Sequence, residues 1–116
     1  MDTSRLVDGL RALCMGLTRE VVAVVPIQSG CFLPVTLIGS GGKDHVSVSP
    51  AQVLRPVLRS RACSYVLVHT HLLEVGPSAA DHAVNRRLVA AGAIVGVEMA
   101  AHLVLTPTFV HDCLSA

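Results

Sequence analysis

Residues 65–81 read Tyr65-Val66-Leu67-Val68-His69-Thr70-His71-Leu72-Leu73-Glu74-Val75-Gly76-Pro77-Ser78-Ala79-Ala80-Asp81, and this stretch decides the fold. Tyr65 to Val68 is a short apolar run of the kind that forms a strand covered on both faces. It leads straight into His69-Thr70-His71. Side chains at i and i+2 leave a strand on the same face, so the two imidazoles can converge on one ion. Gly76-Pro77 marks a loop, and a helix is predicted over Ser78 to Ala91, with Gly92 as its C-terminal stop and Val84, Leu88 and Ala91 on its inner face. Asp81 falls just inside the start of that helix. Two neutral imidazoles and one carboxylate make a three-ligand zinc set that leaves a fourth position for water, the pattern of a catalytic rather than a structural zinc. Structural readings of the same residues stand beside this one. A histidine on a strand can be a satisfied core or surface residue, and Ser78-Ala79-Ala80-Asp81 has the form of a helix capping box, with Asp in the usual place of Glu or Gln.

Upstream, Leu6, Leu10, Leu13 and Leu17 recur at helical spacing, with Thr3 or Ser4 able to cap the start. The period then changes. Val21-Val22-Ala23-Val24-Val25 is continuously apolar and predicts a doubly covered strand. Gln28-Ser29-Gly30 reads as a turn, and Cys31 to Ile38 as a second strand, with an edge or bulge at Pro34. Gly39-Ser40-Gly41-Gly42-Lys43-Asp44 reads as a glycine-rich loop. A phosphate-binding loop needs Ser or Thr after the Gly-Lys pair, and Asp44 stands there instead. A helix follows from the cap Ser49, with Pro50 in its first turn and Val53, Leu54, Val57 and Leu58 as its apolar face; Pro56 should bend or shorten it. Downstream, Ile94 to Val97 and His102 to Leu105 read as two further strands, and after Pro107 only a short tail is expected. Alternating helices and strands indicate an α/β domain, read here as one domain over residues 1–116.

The chain has 116 residues, of which 52% are hydrophobic and 15% charged, with a formal net charge of +1. That balance argues against nonspecific nucleic-acid binding, which needs clustered cations. The apolar content excludes disorder. No stretch approaches the ~20 apolar residues of a spanning helix, so no membrane association is expected. Cys14, Cys31, Cys63 and Cys113 are widely spaced and read as buried free thiols. With no secretory leader at the N-terminus, a cytoplasmic location is expected. His45, His82, His102 and His111 share no ligand-like spacing and read as ordinary polar positions. His82 points about 100° around the helix from Asp81, and Arg86 and Arg87 fall on the solvated side. A cytidine-deaminase active site is excluded, because His-x-Glu and Pro-Cys-x-x-Cys are missing.

The order strand, His-x-His, loop, Ser-x-x-Asp, helix resembles the JAMM signature of the JAB/MPN metallopeptidases. The segments Val66 to His71, Arg86-Arg87-Leu88-Val89-Ala90-Ala91-Gly92 and His102-Leu103-Val104 look closest to the bacterial RadC-like branch. The resemblance implies a mixed central sheet flanked by helices, in a cytidine-deaminase-like arrangement. It also implies a Zn2+ cofactor held by His69, His71 and Asp81, with Ser78 stabilising an oxyanion. The family's catalytic Glu lies where the first helix meets the first strand, which here is Glu20, the sole acidic residue between Asp8 and Asp44. In that resemblance Glu20 takes a proton from a zinc-bound water and returns it to the leaving amine. The substrate class implied is a peptide or isopeptide bond, including one beside the tail of a ubiquitin-like protein. Other JAB/MPN domains are non-catalytic scaffolds, which implies instead a homodimer or a partner subunit; the low charge suits a buried surface of that kind. This chain departs from the family pattern twice. Leu72 stands where Pro is usual, and the six residues Leu72 to Pro77 separate His71 from Ser78 where seven are usual.

Overall fold

The computed structural model of the protein describes residues 3–14, 16, 18–41 and 48–114. The elements run α1 (Ser4–Cys14), β1 (Glu20–Gln28), β2 (Cys31–Phe32), β3 (Thr36–Gly41), α2 (Pro50–Arg59), β4 (Ser64–Thr70), α3 (Ala79–Val95), β5 (Glu98–Leu105) and β6 (Val110–Asp112). The strands form one mixed sheet in the order β2-β1-β4-β5-β6, with β3 also paired to β1. β4 and β5 are parallel, joined through α3, whereas β1 lies antiparallel to β4. This is the expected α/β arrangement of a mixed sheet flanked by helices.

Strand alternation divides the core in two. Val22, Val24, Tyr65 and Leu67 point to the face that carries α2 and α3, and pack with Val53, Val57 and Leu88. Ala23, Val25, Val66 and Val68 point the other way, toward Val7 and Leu10 of α1. β1 and β4 are therefore covered on both sides, as their unbroken apolar runs require. The same period of two fixes the polar residues that follow. Glu20 continues the series of Val24 and Val22, and His69 continues that of Tyr65 and Leu67, so both emerge on the α3 face. Val22 and His69 are cross-strand partners.

Several boundaries differ from the sequence reading. Cys31 to Ile38 is two strands, broken at Leu33-Pro34-Val35, because Pro34 has no N–H to give a ladder. Gly39 to Gly41 belongs to β3, where pairing with Val22, Val21 and Glu20 overrides weak intrinsic preference; Gly42, Lys43, Asp44 and His45 lie outside the described residues. So do Leu17 and the side chains of Leu13 and Cys14. Ser49 caps α2 through a full capping box with Gln52, but Leu58 is exposed rather than part of the apolar face. α3 does not stop at Gly92. It continues through Ile94 and Val95, which are helix and not strand, and ends on the left-handed cap Gly96 (φ 76°). Gly92 is needed for another reason: the chain turns back so closely that a Cβ there would collide with the Val97 carbonyl. β5 consequently begins at Glu98, and residues 110–112, expected as tail, form β6 through pairing with Leu103 to Leu105. Cys113 is a buried free thiol, while Cys31 and Cys63 are free but exposed. Among the described residues, no helix is long and apolar enough to cross a membrane.

Candidate metal centre

Glu20 opens β1, His69 lies near the end of β4, His71 follows it, and Asp81 sits in the first turn of α3. Their exposures are 6%, 9%, 8% and 4%. Four such polar groups buried together require partners, and they largely find them in each other. His69 donates from Nδ1 to Asp81 Oδ1 at 2.8 Å, while His69 Nε2 lies 3.7 Å from Glu20 Oε1. His71 Nε2 lies 3.4 Å from Asp81 Oδ2. The two imidazoles meet edge to face, with centroids 4.7 Å apart. The loop from Leu72 to Pro77, one residue short of the family pattern, thus still delivers Asp81 to both histidines.

The donor set fits a metal ion. One ligand atom from each of His69, His71 and Asp81 can be chosen so that all lie within 4.8 Å of one another, close to the ~3–4 Å that bonds of ~2 Å impose on a shared shell. His71 Nδ1 donates to the Val75 carbonyl at 2.9 Å. A carbonyl only accepts, so Nδ1 carries a proton and Nε2 is the nitrogen turned toward Asp81. That is the outer-shell device by which ligating histidines are oriented. His69 Nε2 is buried with no hydrogen-bond partner, an expensive arrangement for a polar nitrogen unless something else binds it.

Asp81 is ionised at any ordinary pH. Burial pushes its carboxyl up, but the hydrogen bonds from His69 and from the Ser78 backbone and hydroxyl outweigh this and hold it well below the usual carboxylate range. Ser78 is the N-cap of α3, and the capping box read from the sequence is present. Ser78 donates from N at 2.7 Å and from Oγ at 3.0 Å to Asp81 Oδ2, and its Oγ accepts from the Asp81 amide at 3.2 Å. Capping and the candidate ligand role therefore reside in the same carboxylate. Glu20 accepts from the Leu72 amide at 3.4 Å, a contact that a proline at this position could not make. The Val21 amide donates to Thr70 Oγ1 at 2.9 Å, which ties the start of β1 to the end of β4 beside the histidines.

Glu20, His69, His71, Ser78 and Asp81 line a cavity of about 470 Å³. Sequence reasoning passed over two of its other residues. His102, taken as an ordinary polar position, is 1% exposed and lines the cavity. Its Nδ1 lies 2.6 Å from Asn85 Oδ1, one helical turn beyond Asp81. Asn85 in turn donates to the Cys113 carbonyl at 3.1 Å. Burial, the largest cause, pushes the His102 imidazole down to about 4. The signal was available in strand alternation, since His102 pairs with Leu67 in the parallel ladder and must share its face. Arg87 is exposed as expected, yet it also lines the cavity. His82 is turned toward Cys113 Sγ, 3.5 Å away, and stays outside the donor set.

The model of the RadC-like JAB domain matches residues 2–115. The chain belongs to the RadC-like JAB domain family. Among its relatives, a UPF0758 protein of Rubrobacter xylanophilus is 34% identical over 102 residues, which cover 85% of this chain and 45% of that protein. A UPF0758 protein of Acidovorax sp. (strain JS42) is 35% identical over 94 residues, 79% of this chain and 40% of that protein. One of Thermotoga maritima is 29% identical over 96 residues, 78% and 41% respectively. This RadC-like JAB domain thus spans less than half the length of these relatives, and their shared name states no activity. The family resemblance read from His69, His71, Ser78 and Asp81 holds.

Proposed function

We propose that this RadC-like JAB domain is a zinc-dependent hydrolase of the JAMM type that cleaves a peptide or isopeptide bond in a protein or peptide, a ubiquitin-like protein among the candidates. The observation that carries the reading is the convergence of Glu20, His69, His71 and Asp81, all buried, in the lining of one open cavity. His69, His71 and Asp81 would hold the ion. A zinc ion there supplies Lewis acidity, bringing the pKa of a water to about 7 and polarising a carbonyl.

Glu20 does the proton work. Its carboxylate borders His69 without being part of the donor set, so it can take the proton of the attacking water as oxygen bonds to the acyl carbon. The same carboxyl then protonates the nitrogen as the C–N bond breaks, and Glu20 returns to its starting state. The Leu72 amide holds the carboxylate in that position. The Ser78 hydroxyl donates its one proton to Asp81 here, and it would serve an oxyanion only by turning away from that carboxylate. The test is hydrolysis of a panel of ubiquitin-like fusions and fluorogenic peptides by zinc-loaded protein. Glu20→Gln is expected to keep its zinc and lose about a hundredfold or more in rate; equal rates in the two proteins would refute the assignment.

One observation favours a second reading, a non-catalytic interaction domain that binds a partner subunit or a second copy. α3 exposes Val89 at 49%, Ile94 at 86% and Val95 at 47% on its outer side. A scaffold of that kind has no use for Glu20, so the same variant separates the two.

A further inference from the structure

Resting on the hydrolase reading, we propose that the cavity beside the metal centre recognises the free C-terminal carboxylate of a short apolar peptide segment, with Arg87 as the anchoring cation. The cavity carries charge of both signs. Its lining includes the carboxylates of Glu20 and Asp81, and Arg87 is the sole Lys or Arg lining it among the described residues. Ala80, Val84 and Arg87 all line it; at spacings of four and three they form one stripe of α3 that leads away from the metal centre. Among the described residues the Arg87 guanidinium has no hydrogen bond or ion pair. Arg11 makes the contrast: its guanidinium makes three hydrogen bonds, to the carbonyls of Thr106, Pro107 and Phe109 at 2.6–3.2 Å. A guanidinium left open beside a cavity is matched in shape and charge to a carboxylate, which it takes through two parallel N–H donors.

The walls and the spacing define the rest of the ligand. Leu73 and Val75 line the cavity while remaining 70% and 53% exposed, a wall that an apolar side chain would cover. Asp81 and Arg87 are six positions apart on α3, or about 9 Å along its axis. An extended peptide covers that in about three residues. A chain end on Arg87 thus places a bond two or three residues upstream at Glu20 and the histidines. In the metal-free protein, repulsion from the two carboxylates opposes the reverse orientation. In hydrolysis the water oxygen goes to the acyl carbon, its proton goes to the nitrogen, and a di- or tripeptide leaves.

The test is binding, not turnover. An N-acetylated apolar tripeptide with a free C-terminal carboxylate is compared with its C-terminal amide by calorimetric titration, on metal-free and on zinc-loaded protein. The free acid is expected to bind about tenfold tighter in both, as one charge-assisted pair at a partly exposed site would give. Arg87→Gln should bring the acid down to the level of the amide, Arg87→Lys should retain part of the preference, and Arg86→Gln, off the cavity, should retain all of it. Equal binding of acid and amide to the wild type, no binding of either at millimolar concentration, or a preference that survives Arg87→Gln overturns the proposal. The metal-free comparison reads the anchor alone, so failure to take up zinc or to hydrolyse would count against the hydrolase reading and not against Arg87.

Discussion

The Nδ1 of His71 donates to the carbonyl of Val75 across 2.9 Å, so the loop that separates the second histidine from α3 also sets that histidine's tautomer. A backbone carbonyl inside a loop one residue shorter than the family norm thus serves as the partner that orients this imidazole. The shortening is thereby absorbed locally, and Asp81 still lies 3.4 Å from His71.

With that orientation in place, purified protein should carry about one zinc per chain by elemental analysis after zinc is supplied. His69→Ala/His71→Ala should carry none. A wild type that stays empty, or a double variant that fills, would place any metal elsewhere.

Ser78 should matter to both helix and metal. Ser78→Ala removes the hydroxyl and with it two hydrogen bonds, the cap accepted from the Asp81 amide and the one donated to Asp81 Oδ2, whereas the bond from the Ser78 backbone N–H to Oδ2 survives. The expected stability loss is about 1 kcal/mol, together with roughly a tenfold weaker zinc affinity measured by chelator competition. Ser78→Thr should restore both. An affinity unchanged in Ser78→Ala would mean the hydroxyl does not orient Asp81.

Gly92→Ala should be severely destabilising, because its Cβ would meet the Val97 carbonyl, which is fixed by the turn into β5. A cost of about 2–3 kcal/mol is expected for overpacking against backbone, visible as a fall in Tm. A helix-stop role would predict a milder loss, so the size of the shift separates the two explanations of this glycine.

His102 should give the metal-free protein an acid-sensitive stability. Its pKa is about 4 in the fold against about 6.5 when unfolded. Between those values the unfolded chain binds the extra proton, so stability falls as pH drops from 6.5 toward 4. The contribution is about 3 kcal/mol across that window. His102→Gln should therefore show a shallower loss by denaturant unfolding at pH 7 and pH 4.5; parallel losses would rule out His102 as the source.

What could be read from the sequence was what local chemistry fixes. The two faces of β1 and β4 follow from a period of two, and the same rule carries Glu20 and His69 to a common side. The cap at Ser78 follows from hydrogen-bonding capacity over one turn. What escaped is set by contacts distant in sequence. Gly39-Ser40-Gly41 has no preference for a strand and acquires one from β1. Val110-His111-Asp112 is too short to signal itself and exists through β5. Ile94 and Val95 look like strand by composition, yet α3 carries them because the turn at Gly96 and Val97 comes later. Arg87 was placed correctly on the exposed side, but exposure along the chain does not reveal that a cavity opens beside it.

Asp81 closes the first turn of α3 and faces both histidines with one carboxylate. An ion held by that carboxylate would therefore be coupled to fraying of the turn. Amide exchange at Asp81 and His82 would slow with occupancy by the factor that binding adds to the closed state. The start of the helix would thus report how full the site is, without any substrate being known.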